Sequence, residues 1–272
     1  MLYINNLGSC FGSTGPLSLN AETGRPFGGD FPDITISDMT ASQKLLIDRL
    51  GIGRFHTVIS GSMGAMLSLD WAINYPESLD NLVLISSSYK AYPANIANRS
   101  IQHQAIRMDA MWNGGNYASS RDLTGFRSAR KLGLCTYRNA AEWNQRFNSH
   151  DGADANDTDI VEYMDYNAEK FCRTFDANSY LVLTRSMDLF DVTKNYSLLQ
   201  QWFSRISART LVVSMESDIF FTPQQQEEQR DALYAGGVDC QCISHPSQYG
   251  HDAFLVEKDP FTKYIRKFLN GL

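Results

Sequence analysis

Phe55-His56-Thr57-Val58-Ile59-Ser60-Gly61-Ser62-Met63-Gly64-Ala65 is the stretch that decides how the chain is read. Its first five residues are aromatic or β-branched, which suits a pleated strand. From Ala65 to Tyr75 the residues are mostly apolar and helix-forming, and Pro76 ends the run. Ser60 to Gly64 must therefore hold a sharp strand-to-helix turn. A serine at the tip of such a turn projects its hydroxyl away from both backbones, and the residues two before and two after it must be small because strand and helix come close there. Gly64 meets that need, and Ser60 is small although not glycine. The helix N-terminus behind the turn and the Met63 N–H favour a negative charge developing beside Ser62. Ser62 is thus a candidate nucleophile and Met63 a candidate oxyanion donor. A glycine- and serine-rich turn without chemistry would also account for the segment taken alone.

Working outward, Leu2-Tyr3-Ile4 reads as the end of a strand, followed from Asn6 to Asp33 by a long Gly/Ser/Pro-rich loop, functional or disordered by its length. Ser37 or Asp38 can cap a helix through Leu45, Leu46 and Ile47 to Leu50, with Gly51 ending it. Leu82-Val83-Leu84-Ile85 is a continuous apolar run, the pattern of a strand buried on both faces. From Pro93 to Ser204 strand runs vanish and helical periodicity with aromatics takes over. Strands then return at Thr210–Ser214 and Cys240–Ile243, with helices predicted at Pro223–Ala235 and Phe261–Leu269. Strand–helix alternation interrupted by a helical block predicts an α/β core with a mostly parallel sheet, residues 1–92 and 205–272, and a helical lid insertion, residues 93–204.

The 272 residues, 43% of them hydrophobic, suffice for one large core. A net charge of −6 without a basic patch argues against nucleic-acid binding. No segment reaches the length of a membrane span, and the N-terminus shows no export signal. Cys10, Cys135, Cys172, Cys240 and Cys242 form neither a disulfide framework nor a metal-binding pattern, which fits a reducing cytoplasm. Cys240 and Cys242 would share one strand face and are read as two small hydrophobes. No glycine loop of a phosphate-binding type is present. The sequence therefore points to no metal, no permanently bound cofactor and no membrane or nucleic-acid partner.

A nucleophilic serine needs a base, and the base needs an orienting acid. The acid is expected after the first strand that follows the helical block, where Glu216-Ser217-Asp218 stands; Asp218 is the better placed of the two. The base is expected in the following strand–helix loop, Ser244 to Asp252. Within it Gly250 gives His251 backbone freedom, whereas His245 comes immediately after the strand. His56, His103 and His150 lie before any suitable position and are read as packing or surface residues.

Asn6 to Pro16, the serine turn, Gly114-Gly115-Asn116-Tyr117, Ala129-Arg130, Thr136-Tyr137-Arg138, Arg173 to Tyr180, Ser217-Asp218 and Tyr249 to Leu255 together resemble the homoserine O-acetyltransferases, acyltransferases of the α/β-hydrolase fold. The resemblance runs end to end. It implies a ping-pong reaction in which Ser62, activated by His251 and Asp218, takes an acetyl group from the co-substrate acetyl-CoA and passes it to the side-chain hydroxyl of L-homoserine, a step toward methionine. It further implies that Arg130 and Tyr137 hold the acceptor's carboxylate, that Asp252 holds its ammonium group, and that the enzyme is a cytoplasmic homodimer. Relatives on this scaffold use serine as acceptor or succinyl-CoA as donor, and the same three residues serve an esterase when water is the acceptor. Ser60 and Ala65 stand where the family usually has glycine. The resemblance also implies that several dozen residues precede the position of Tyr3 in the family, including a central strand and a His-Ala-Leu-Thr-Gly-like turn that supplies a second oxyanion N–H. The expectation is therefore an N-terminally truncated chain, whose alternative reading is an inactive remnant or a partner-dependent subunit.

Overall fold

A computed structural model describes residues 1–147, 159–194 and 199–271. Among these residues four parallel strands form a sheet in the order β1 (Phe55–Gly61), β2 (Leu79–Ile85), β3 (Arg209–Met215), β4 (Cys240–His245). The pairing aligns Gly61 with Ile85, Ile85 with Val213, and Met215 with His245. The C-terminal ends of all four strands therefore meet along one rim. In open parallel sheets this rim is where the connecting loops can gather side chains from distant parts of the chain.

The chain divides into two compact units. The sheet unit comprises Ile36–Ala91, Tyr137–Asn139 and Phe190–Leu272. Within it α1 (Ile36–Arg49) and α2 (Met63–Asn74) pack together, and α2 also packs on β1 and β2. The later helices of this unit are α8 (Leu199–Phe203), α9 (Pro223–Ala235), α10 (Ala253–Val256) and α11 (Lys258–Leu269). Val83, Ile85, Leu211, Val213 and Met215 alternate along β2 and β3, so they fall on one sheet face. They pack there with Phe261 and Phe268 of α11 (Lys258–Leu269). Each such side chain contributes about 1.5–3 kcal/mol when fully buried, so this cluster fixes the strands that carry the rim.

The helical unit comprises Met1–Thr35, Tyr92–Thr136 and Ala140–Leu189. Its helices are α3 (Pro93–Arg107), α4 (Thr124–Tyr137, whose last residue falls in the sheet unit), α5 (Ala140–Phe147), α6 (Asp159–Cys172) and α7 (Ala177–Asp188). Ile106, Leu123, Phe126, Tyr180 and Leu181 are at its core. This division differs from the boundaries drawn at 93 and 204, because the N-terminal loop packs with the helices. Gly29 and Gly115 explain the packing: a Cβ on either would stand 2.3 Å from the backbone of the other strip. Two chain segments touch there without intervening side chains, and only glycine permits it.

Two local expectations are corrected. Leu2-Tyr3-Ile4 forms no strand; the segment pairs with no strand among the described residues, and Leu2 and Tyr3 are exposed. Helix α1 starts at Ile36, ahead of the expected caps. Ser37 instead donates its hydroxyl to Asp70 of α2 at 2.7 Å, and Thr40 donates to the same carboxylate. A buried carboxylate on a neighbouring helix outcompetes the local capping role because it would otherwise lack partners.

Candidate active site

Strand β1 turns directly into α2 at Ser62, whose φ of 56° and ψ of −128° lie where side chains other than glycine are rarely found. A residue held in such a conformation is over-determined by its surroundings. Ser62 N–H bonds to Ile85 O at 3.0 Å, and Ser62 O accepts from Ala65 and Met66 in the first turn of α2. Gly61 is needed beside it, since a Cβ there would sit 2.9 Å from the Phe254 ring. Ser60 and Gly64 approach as expected: a Cβ on Gly64 would meet the Ser60 Cβ at 3.5 Å. Met63 is the first residue of α2 and Ser62 its N-cap, so the helix N-terminus begins directly at the serine.

Asp218 follows β3 and is buried. Its Oδ1 accepts the backbone N–H groups of Phe220 and Phe221 at 2.8 and 2.9 Å. Its Oδ2 lies 2.9 Å from His251 Nδ1. It does not cap the next helix, α9 (Pro223–Ala235); Thr222 does, through a reciprocal capping box with Gln225. His251 lies in a short helical turn after β4, also buried. Gly250 ahead of it has a φ of 63°, and a Cβ there would be 3.1 Å from the backbone of Tyr137, Arg138 and Asn139. Ser62 Oγ is 2.8 Å from His251 Nε2. The structure thus joins Ser62, His251 and Asp218 in one hydrogen-bonded chain.

Ser86, which sequence reasoning missed, completes the cluster. It follows β2 with a φ of 48° and is buried. Its hydroxyl donates to Asp218 Oδ2 and lies 2.9 Å from His251 Nδ1. A hydroxyl whose proton goes to the carboxylate can only accept from the ring nitrogen. Asp218 and Ser86 together therefore assign the proton of His251 to Nδ1, leaving Nε2 to accept from Ser62. That is the tautomer a general base requires. The signal in the sequence was the run Ser86-Ser87-Ser88 just past a strand end, on the rim where loops gather.

Around the imidazole stand Tyr137, Phe220, Phe221 and Phe254, with ring centroids 5.2–5.8 Å from it. Such walls exclude water and strengthen the polar contacts inside. Asp252 forms an ion pair with Arg138 at 3.1 Å, a partnership the sequence did not suggest. Arg130 belongs to the helical unit, where its guanidinium lies 4.2 Å over the Phe171 ring. His56 is exposed on the edge strand β1, and His103 is buried in the helical unit with Thr184 Oγ1 2.7 Å from its Nε2. His150 lies outside the described residues. No cluster of three or more His, Cys, Asp or Glu able to hold a metal occurs among the described residues, and no described helix is long and apolar enough to cross a membrane.

A strained serine on a strand-to-helix turn, with its acid after one strand and its base after the next, is the arrangement of an α/β-hydrolase enzyme. Comparison with known proteins agrees: the sequence pattern of the alpha/beta hydrolase fold matches residues 2–257. A homoserine O-acetyltransferase of Haemophilus influenzae is 40% identical over 98% of this chain and 76% of its own length. A serine O-succinyltransferase of Litchfieldella anticariensis is 41% identical over 99% and 76% respectively. A homoserine O-acetyltransferase of Methanococcus vannielii is 39% identical over 98% of this chain, which spans 56% of that relative's length. The crystal structure of esterase E22 superimposes with a TM-score of 0.86 at 28% identity, covering 94% of this chain and 72% of that one. The chain belongs to the α/β-hydrolase fold family and, within it, to the group formed by homoserine O-acetyltransferases and their serine O-succinyltransferase relatives.

Proposed function

We propose that the chain transfers an acetyl group from acetyl-CoA to the side-chain hydroxyl of L-homoserine through an acyl-enzyme on Ser62. The hydrogen-bonded Ser62–His251–Asp218 chain, in a protein about 40% identical to named homoserine O-acetyltransferases, is the observation that carries this reading. Ser62 Oγ attacks the thioester carbonyl while His251 Nε2 takes its proton. Asp218 and Ser86, both on Nδ1, stabilise the imidazolium. The Met63 N–H and the start of α2 face the negative charge on the tetrahedral oxygen. The CoA thiolate leaves with the proton from His251. The homoserine hydroxyl then gives its proton to His251 and attacks the acyl-enzyme, which releases O-acetylhomoserine and restores Ser62.

Arg130 and Tyr137 are the groups assigned to the acceptor's carboxylate and Asp252 the group assigned to its ammonium. A zwitterion calls for one fixed cation and one fixed anion. The Asp252 carboxylate also pairs with the Arg138 guanidinium at 3.1 Å. A homodimer working in the cytoplasm on the route to methionine completes the proposal. Acetyl-CoA consumption measured with and without homoserine tests it: release of CoA thiol that depends on homoserine supports transfer. Faster turnover with serine and succinyl-CoA would shift the assignment to the serine O-succinyltransferase relatives. The likeness to an esterase favours a second reading, hydrolysis, and equal CoA release without any amino acid would establish that one instead.

A further inference from the structure

Strand β4 forms the edge of the sheet opposite β1, and it carries Cys240 and Cys242. Residues two apart on a strand point to the same face, and here the two sulfurs lie 3.6 Å apart. Neither is sealed in the core: both are half-buried and both are unbridged. The reading of this pair as two small core hydrophobes is thus replaced by a juxtaposed dithiol. The Tyr234 hydroxyl of α9 hydrogen-bonds Cys242, and Arg230 of the same helix stands near it. Cys242 and Arg230 line one cleft of about 220 Å³ with Gln226, Glu227 and Ser244, so small molecules reach the thiol.

The two sulfurs are chemically unequal. The Cys240 thiol hydrogen-bonds Cys242 and, with Tyr234 and Arg230, holds the Cys242 thiol below its usual range against the effect of burial and of Asp231. Cys240, in contact with its neighbour, is pushed up by that contact, by burial and by the charges of Cys242 and Asp239. Such a pair combines an attacking thiolate with a resolving thiol at contact distance, which is what reversible thiol oxidation needs.

We propose that Cys240 and Cys242 form an oxidation site that takes a hydroperoxide and closes reversibly to a disulfide. The Cys242 thiolate attacks one peroxide oxygen; the O–O bond breaks, and Cys242 becomes a sulfenic acid while hydroxide leaves and is protonated to water. The Cys240 sulfur then attacks the Cys242 sulfur, the S–O bond breaks and a second water leaves with the Cys240 proton. Two thiols are oxidised to one disulfide, and one hydrogen peroxide is reduced to two waters. The sulfurs must approach from 3.6 Å to about 2.05 Å. Strand β4 can bend to allow it, because its outer side is not held by a further strand among the described residues. A disulfide closed under such strain is readily reduced again, as regulatory ones are.

The test is peroxide treatment of the whole chain, alkylation of remaining thiols, and mass measurement of the tryptic peptide 231–258, which holds these two cysteines and no other. The expected result is loss of two hydrogens from that peptide, reversed by dithiothreitol, at a rate roughly tenfold or more above the oxidation of the exposed Cys135. In Cys240→Ser the sulfenic acid should persist on Cys242 and be trapped by dimedone. Two results overturn the proposal: both thiols still alkylated once Cys135 has been oxidised, or direct conversion to sulfinic acid with no disulfide. The readout is covalent and independent of any acyl-transfer activity, so it stands or falls separately from the proposed function.

Discussion

His245 and His251 lie six residues apart, both buried, each bonded to one carboxylate and to at least one hydroxyl group. Tyr264 Oη is 3.1 Å from His245 Nδ1, and Glu257 Oε2 is 3.1 Å from its Nε2. His251 meets Asp218 and Ser86 on Nδ1 and Ser62 on Nε2. Partner types alone do not separate a structural histidine from a reactive one. Placement does. The hydroxyl facing His251 belongs to a serine held at positive φ at a helix N-terminus, where a developing charge is favoured. The hydroxyl facing His245 is a phenol in the middle of α11, and the ring is packed against Phe261. The carboxylate facing His251 is fully buried and fixed by two backbone N–H groups, whereas Glu257 is partly exposed.

Substitution at the two positions is the sharpest way to break this comparison. His251→Gln should lower kcat by on the order of 10⁴–10⁶, as losing one member of a cooperating set does, and abolish labelling of Ser62 by a fluorophosphonate, with the melting temperature little changed. Asp218→Asn should cost about 10⁴ in kcat, since the ring loses the acceptor that fixes its tautomer; a steady-state assay checks it. His245→Leu should do the reverse. It strands the Tyr264 hydroxyl and the Glu257 carboxylate, for about 2–3 kcal/mol of stability measured by urea unfolding, and kcat of the folded protein should stay within about threefold. A loss of kcat as large as that of His251→Gln would erase the distinction.

Ser86→Ala sharpens the comparison further. Removing a hydroxyl that contacts both Asp218 and His251 should lower kcat about tenfold, worth about 1.4 kcal/mol, and leave KM unchanged; an unaltered kcat would show that Asp218 alone sets the tautomer. The last effect concerns His103, a third buried histidine. Burial first, and then Arg107, Arg99 and Arg185, lower its pKa to about 4, against the opposing pull of Asp33. The unfolded chain takes up a proton near the ordinary value of 6.5 while the folded chain stays neutral to about 4. Stability attributable to this residue is therefore present above pH 6.5 and is lost as pH falls toward 4, by about 3 kcal/mol. Denaturation of His103→Gln beside the parent over that range should show a flatter dependence in the variant.

Much of this was legible because it is local. The strand, turn and helix around Ser62 follow from residue types in one short window, and Gly250 marked the backbone freedom that His251 uses. Asp218 was preferred to Glu216 on its position past the strand end, and the structure leaves Glu216 on the outside, bonded to Ser244 at 3.1 Å. What could not be read was whatever depends on register. Ser86 reaches Asp218 because Ile85 pairs with both Gly61 and Val213. Arg138 reaches Asp252 because the tripeptide Tyr137–Asn139 wedges against Gly250. Ser37 looked like a helix cap until Asp70, far along the chain, claimed its hydroxyl.

By itself the sequence determined the class of fold and the order of serine, acid and histidine along the chain, since strand propensity, turn chemistry and helix formation act over a few residues. The tertiary structure alone decided which nitrogen of His251 carries the proton, that Ser86 shares in holding it, and that the thiols of Cys240 and Cys242 touch at a half-exposed edge. Each of these rests on distances of about 3–4 Å, and between separate segments only packing of the sheet core sets such distances.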